Sequence, residues 1–128
     1  MKRYKVAALG LSTTLMFLIS GCSSGPKPLY NYGDYSESYY GVKKEATAES
    51  ALEYQQALEY CIEEADDSSS GRVPPGMYAN LGYIYLKGGQ NDKAKENFIK
   101  EKTIYPEAAH FMDRMIQKID AMEGENEK

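Results

Sequence analysis

At 128 residues, with a formal charge of −4, one histidine and two cysteines, the chain has room for one small domain and its termini. Its acidity excludes attraction by charge to nucleic-acid phosphates or anionic lipid heads. With no serine elbow, glycine-rich phosphate loop or metal-ligand spacing, the sequence reads as a non-enzyme with no metal site and no nucleic-acid partner.

The chain opens on a leader. Lys2, Arg3 and Lys5 form a cationic start, and residues 6–19 are almost uniformly apolar. Those 14 residues would span about 21 Å as a helix, short of a bilayer core of about 30 Å, so they predict an export signal rather than a spanning helix. Leu18, Ile19, Ser20, Gly21 and Cys22 then resemble the bacterial lipobox, with Ile19 in place of the commoner leucine. The resemblance implies a signal peptide over residues 1–21 and a diacylglyceryl group on Cys22, the only prosthetic addition expected. It also implies three acyl chains in the mature protein, at about 0.8 kcal/mol per buried methylene a permanent anchor. Ser23 after the cysteine implies the outer membrane, facing the periplasm. Loss of Lys2, Arg3 and Lys5 takes the charge three units below −4, and acylation leaves Cys61 as the sole thiol, so no intramolecular disulfide is expected.

Residues 22–29 are rich in Ser, Gly and Pro and read as a flexible tether of at most about 26 Å. Residues 30–40 hold five of the twelve tyrosines. Asp34 and Glu37 have the spacing of a capping box that would start a helix at Tyr35, with Tyr35 and Tyr39 on one face. Two readings stand for Tyr30, Tyr32, Tyr35 and Tyr39: rings that fill the end of a small core, or an exposed patch for a protein or glycan partner. Residues 48–65 predict a second helix, with Leu52, Tyr54, Ala57, Leu58, Cys61, Ile62 and Ala65 on its apolar stripe and its glutamates on a solvated face. Cys61 is read as a small buried hydrophobe, against the alternative of a reactive thiol. Residues 66–74 read as the most mobile internal loop.

The next helix starts near Pro75 with the stripe Tyr78, Leu81, Gly82 and Tyr85, and stops at Lys87, Gly88 and Gly89. Asn91 is placed to cap a following helix in which Ala94, Phe98, Ile99 and Tyr105 face inward, and Pro106 ends it. Tyr78, Leu81, Gly82, Tyr85, Gly89, Ala94, Phe98 and Pro106 resemble the tetratricopeptide signature over the 34 residues 75–108. Tyr78 stands where tryptophan is usual. Glu101 stands where a small residue is usual, a departure expected to weaken packing unless its side chain swings outward. One such unit needs neighbours to cover its faces. Residues 35–42 with residues 48–65 are expected to serve as a degenerate first hairpin, and residues 107–122 as a closing helix with Ala108, Phe111, Met112, Met115, Ile119 and Met122 inward. His110, on that helix, reads as a partly packed structural side chain. The expected fold is all-α, a tetratricopeptide-like array of about five helices over residues 30–122, with a disordered tail at 123–128.

The order of lipobox, Leu29 to Tyr35 (Leu-Tyr-Asn-Tyr-Gly-Asp-Tyr), acidic helix and single hairpin also resembles an uncharacterised family of bacterial lipoproteins, catalogued as a domain of unknown function. Tyr32 stands where its members carry tryptophan. The resemblance implies a genomic setting beside a curli-channel-like lipoprotein and another small lipoprotein. The expected function is thus an anchored scaffold or accessory subunit that binds an envelope protein, with Tyr83 and Lys87 beside Ala79 and Leu86 as contacts. Tyr83 is equally readable as a partly buried spacer. The competing expectation is a structural lipoprotein that contacts peptidoglycan or another glycan through its tyrosines.

Overall fold

Local signals set five helices: α1 (Tyr35–Glu45), α2 (Ala48–Glu63), α3 (Met77–Lys87), α4 (Asn91–Ile104) and α5 (Ala109–Asn126), with one-turn 3-10 segments at Ala65–Asp67 and Pro106–Ala108. They come from a computed structural model that describes residues 25–126; the leader and Cys22 lie outside the described residues. Each helix packs mainly on the next in sequence, so α1 and α5 form the two ends of the array. The all-α expectation and the five helices hold.

The caps explain the boundaries. Asp34 precedes α1, but its side chain makes no capping bond, and its carbonyl accepts from the Ser38 hydroxyl at 2.8 Å instead. The capping box forms one helix later, where Thr47 accepts from the Ser50 N–H and Ser50 accepts from the Thr47 N–H, both at 3.1 Å. A serine at the third helical position replaces the usual glutamate or glutamine. Helix α3 ends in a Schellman motif: Gly89, at φ +71°, donates to the Leu86 carbonyl at 3.1 Å, and Gln90 donates to that of Tyr85 at 2.9 Å. Asn91 does not cap α4, and its side chain reaches α5 instead.

The core has two parts. Tyr54, Leu58, Cys61, Met77 and Leu81 meet between α2 and α3, with Tyr35, Tyr39 and Val42 of α1 against them. Ala94, Phe98, Met112 and Ile119 meet between α4 and α5, with Ala79 and Leu86 of α3 against them. Tyr85 touches both. Four residues expected inward are exposed: Leu52, Ile99, Phe111 and Met122. At about 100° per residue, Leu52 lies across α2 from Tyr54, while Ile99 and Phe111 are one step round from buried Phe98 and Met112. Met122 lies beyond Ile119, the last buried residue of α5.

Glu101 is the largest correction. It neither swings outward nor loosens the packing; it is 3 % exposed, and its carboxylate accepts from the N–H groups of Gly76 at 2.8 Å and Ala79 at 3.2 Å. Those are the N-cap and third residue of α3, the two donors that a capping box satisfies. Neither Gly76 nor Ala79 has a side chain that can accept, so a carboxylate from α4 does both tasks and meets the positive end of the α3 dipole. Close by, Tyr105 donates to the Val73 carbonyl, and Arg72 donates to that of Ile104 at 2.8 Å.

The loop at 66–74 is therefore clamped rather than free. Ser68 is buried and donates to the Ala65 carbonyl at 2.7 Å. Ser69 and Ser70 donate through their backbones to Pro28 and Leu29, at 2.8 and 3.2 Å. The last two tether residues are thus held against the domain. Asn31 continues this docking, donating to the Glu64 carbonyl at 3.1 Å.

At the other end, α5 runs on through residues expected to be a frayed tail. Lys95 lies 2.7 Å from Asp120 and 2.6 Å from Glu123, and Asn91 donates to Glu123 at 3.0 Å. Hydrogen bonds to Asp120 and Glu123 raise the Lys95 ammonium above its ordinary value, and Lys95, then Asn91, lower the Glu123 carboxyl. A lowered carboxylate stabilises above its unfolded value, and that contribution fades as pH falls through the lowered one. Lys95→Ala is expected to speed amide hydrogen exchange over residues 120–126 while leaving residues 112–119 protected. Unchanged exchange at the α5 end would contradict the clasp.

Candidate interaction surface

The α3–α4 hairpin provides a rigid platform. A Cβ built on Gly82 would lie 2.8 Å from the Phe98 ring and 3.1 Å from the Ala94 carbonyl oxygen, so the two helices touch there as closely as backbone allows. Ala94 and Phe98 are buried, and Pro106 starts the 3-10 turn that follows α4. Tyr78 and Tyr85 were expected as packed members of the stripe. Tyr85 does pack on both core clusters, though both rings are only half-buried, with Lys100 5.7 Å above the Tyr78 ring and Lys93 5.1 Å above that of Tyr85. Together with Leu81 and Ile62 they line a shallow cleft of about 380 Å³. Burial, then the Glu59 carboxylate, raises the Tyr85 phenol above its ordinary value.

On the opposite face, Tyr83 is 49 % exposed and Lys87 is exposed, its ammonium 5.5 Å over the Tyr83 ring. Ala79 and Leu86 were expected to share that open face. They pack on the Phe98–Met112 cluster instead, which narrows the surface to Tyr83, Lys87 and their immediate surroundings. Asn80, one turn before Tyr83, reaches the Tyr35 hydroxyl at 3.5 Å.

The tyrosines before and within α1 form one continuous ladder. Ring centroids lie 6.2 Å apart from Tyr30 to Tyr32 and from Tyr32 to Tyr35, then 6.1 Å from Tyr35 to Tyr39 and 5.8 Å from Tyr39 to Tyr40. Tyr35 and Tyr39 also pack on Tyr54, at 5.8 and 5.7 Å. The middle of the ladder belongs to the core, whereas Tyr32 and Tyr40 are exposed, Tyr40 by 71 %. The core reading therefore holds for Tyr35 and Tyr39, while Tyr32 and Tyr40 present open rings. Cys61 lies beneath it, fully buried and donating to the Tyr32 carbonyl at 3.1 Å. Burial pushes its thiol up to about 11, which makes it inert at neutral pH. His110 is exposed rather than partly packed.

One feature escaped the sequence reading. Glu53 of α2, taken there as part of a plain solvated face, borders an open cleft of about 750 Å³ between α1 and α2. Gly33, Ser38 and Gly41 line it from α1 and its approach, and Ala57 and Tyr60 from α2. Asp34, Glu37, Glu45 and Glu53 surround it. The signal was present as Ser38 and Gly41, small residues about one turn apart on α1, with Ala57 across from them.

Among the described residues, no group of His, Cys, Asp or Glu is placed to hold a metal ion, and no helix is long and apolar enough to cross a membrane. Residues 29–115 match the family described as Domain of unknown function (DUF4810). The chain belongs to this family. No curated protein and no solved structure matches the sequence. The region shared with DUF4810 starts where Leu29 docks on the Ser70 backbone and ends inside α5. It takes in the tyrosine ladder, the acidic cleft and the whole α3–α4 hairpin.

Proposed function

We propose that this chain is an outer-membrane lipoprotein, held by acyl chains on Cys22 and facing the periplasm, that binds a protein partner as a scaffold or accessory subunit of an envelope assembly. Its hairpins stack in the tetratricopeptide manner, and the resemblance to lipoproteins encoded beside a curli-channel-like lipoprotein points to that channel's assembly as the setting. The observation that carries the reading is Tyr83, an exposed aromatic ring beside the Lys87 ammonium on a helix fixed by Glu101 and Gly82. A rigid aromatic anchor loses little entropy on binding, and such side chains dominate interface energies. The docked tether adds to it. Pro28 is six residues from Cys22, so the domain would stay within about 20 Å of its anchor. The glycan reading draws on the tyrosine ladder, but Tyr35 and Tyr39 already pack on Tyr54.

Tyr83→Ala is the test. In envelopes cross-linked before solubilisation, the partner recovered with the wild-type chain should fall by about tenfold or more, since hot-spot truncations cost about 2 kcal/mol. Far-UV circular dichroism should not change, because the ring is not part of the core. Undiminished recovery would sink the assignment.

A further inference from the structure

The two ends of the array carry surfaces of opposite character that cannot meet within one molecule. On α5, exposed Phe111 and Met122 fall in a stripe at helical spacing with Met115, which is half-buried against the Phe98–Met112 cluster, and exposed Arg114 and Lys118 lie beside them. Phe111 is 61 % exposed, and both cations are exposed and take no part in the ion pairs among the described residues. On the α1–α2 end lies the open cleft, with a floor of small residues and four carboxylates that are equally without ion pairs among the described residues.

Gly41 makes this cleft more than a cluster of acids. It sits in the middle of α1 with an ordinary helical φ, where glycine costs about 1 kcal/mol relative to alanine. A Cβ there would meet nothing within 4 Å. Neither backbone strain nor packing inside the chain calls for a glycine, yet its absent side chain keeps the groove open for something from outside.

We propose that the occupant is α5 of a second copy, so that copies associate head to tail. From Asp34 to Glu45 the α1 wall of the groove extends about 16 Å, and the stripe from Phe111 to Met122 covers the same 11-residue rise. Small residues on the floor let a helix approach to the 8–10 Å of ordinary helix packing, with the Phe111 ring laid between α1 and α2. Arg114 and Lys118 then face Glu37, Glu45 and Glu53. Because groove and stripe belong to different elements at opposite ends, the contact is heterologous: it leaves one free groove and one free α5 in every dimer and builds rings or filaments. This contact is independent of the Tyr83 surface on α3, so either can fail alone.

Two differently tagged full-length copies, co-expressed and solubilised in mild detergent, should co-precipitate. With Arg114→Glu and Lys118→Glu in both copies, recovery should fall by about tenfold or more as like charges meet. Glu37→Lys with Glu53→Lys in both copies should do the same. Pairing one variant with the other should restore recovery, because the acidic α5 of one then enters the basic groove of its neighbour. Gly41→Leu supplies the control for folding: it should hold or raise Tm through helix propensity while abolishing co-precipitation. Wild-type copies that do not associate, or association indifferent to both charge reversals, would overturn the proposal. So would capture of a different protein by α5 without self-association.

Discussion

Glu101→Ala is expected to lower the stability of the domain by about 2–3 kcal/mol, which for a domain of this size means a fall in Tm of roughly 10–20 °C. The side chain is almost fully buried, and its two oxygens receive the N–H groups of Gly76 and Ala79. Removing it leaves both donors unpaired in a part-buried place, and a stranded buried donor costs about 1–3 kcal/mol. The loss of negative charge at the α3 N-terminus adds to that cost, since the macrodipole interaction is strongest in such partly buried geometry. Glu101→Gln separates these contributions. It keeps the volume and one good acceptor but loses the charge, and should give up about half as much stability. Urea and thermal denaturation of both variants check the ordering. Glu101→Ala as stable as the wild type would mean that α3 starts without its help, and the cap would have to be reassigned.

This residue also marks the limit of what the sequence reveals. Glycine, proline and the spacing of Leu81, Tyr85, Ala94 and Phe98 act over one or two turns, and from them the five helices and the α3 stop could be read directly. Cys61 could be read as core because its neighbours Tyr54 and Leu58 fall on its own stripe. Glu101 could not, since its partners lie 22 and 25 residues away and nothing local announces them. What the sequence did offer was a missing piece: Pro74, Pro75 and Gly76 lead into a helix with no Ser, Thr, Asp or Asn to cap it, and an acid stands on the facing helix where a small residue is usual. Periodicity also fixes a stripe only to within about one residue step. Ile99 and Phe111 sit at the edges of their stripes, so one step of about 100° turned each into solvent. The tyrosine ladder escaped a single reading for a different reason. Rings at Tyr35 and Tyr39 meet a core residue, Tyr54, from another helix, while Tyr32 and Tyr40 have no such partner.

Gly82→Leu is the second change with a large expected effect, and here two opposing terms must be weighed. Glycine inside a helix costs about 1 kcal/mol in propensity, so any side chain at this position begins with a gain of that size. Against it stands a contact that real side chains do not tolerate. The new Cβ would be 2.8 and 2.9 Å from two atoms of the Phe98 ring and 3.1 Å from a backbone oxygen. Phe98 is 1 % exposed and wedged between Ala94, Met112 and Ile119, so its ring has nowhere to go, and the Ala94 carbonyl belongs to helix α4 itself. Overpacking costs about 1–3 kcal/mol for a few added methylenes, and leucine also places its branched end beyond the first clash. The clash outweighs the propensity gain, and a net loss of about 2 kcal/mol is expected, read as a fall in Tm of roughly 8–16 °C. Alanine at 82 should lose less than leucine, because it adds one methyl and recovers most of the propensity. A double-variant cycle makes the cause specific: Phe98→Leu shrinks the obstructing ring, so Gly82→Ala should cost less in that background than in the wild type. If the two changes are instead additive, the close approach of α3 and α4 at this point does not depend on the absence of a side chain, and the hairpin geometry loses its main support.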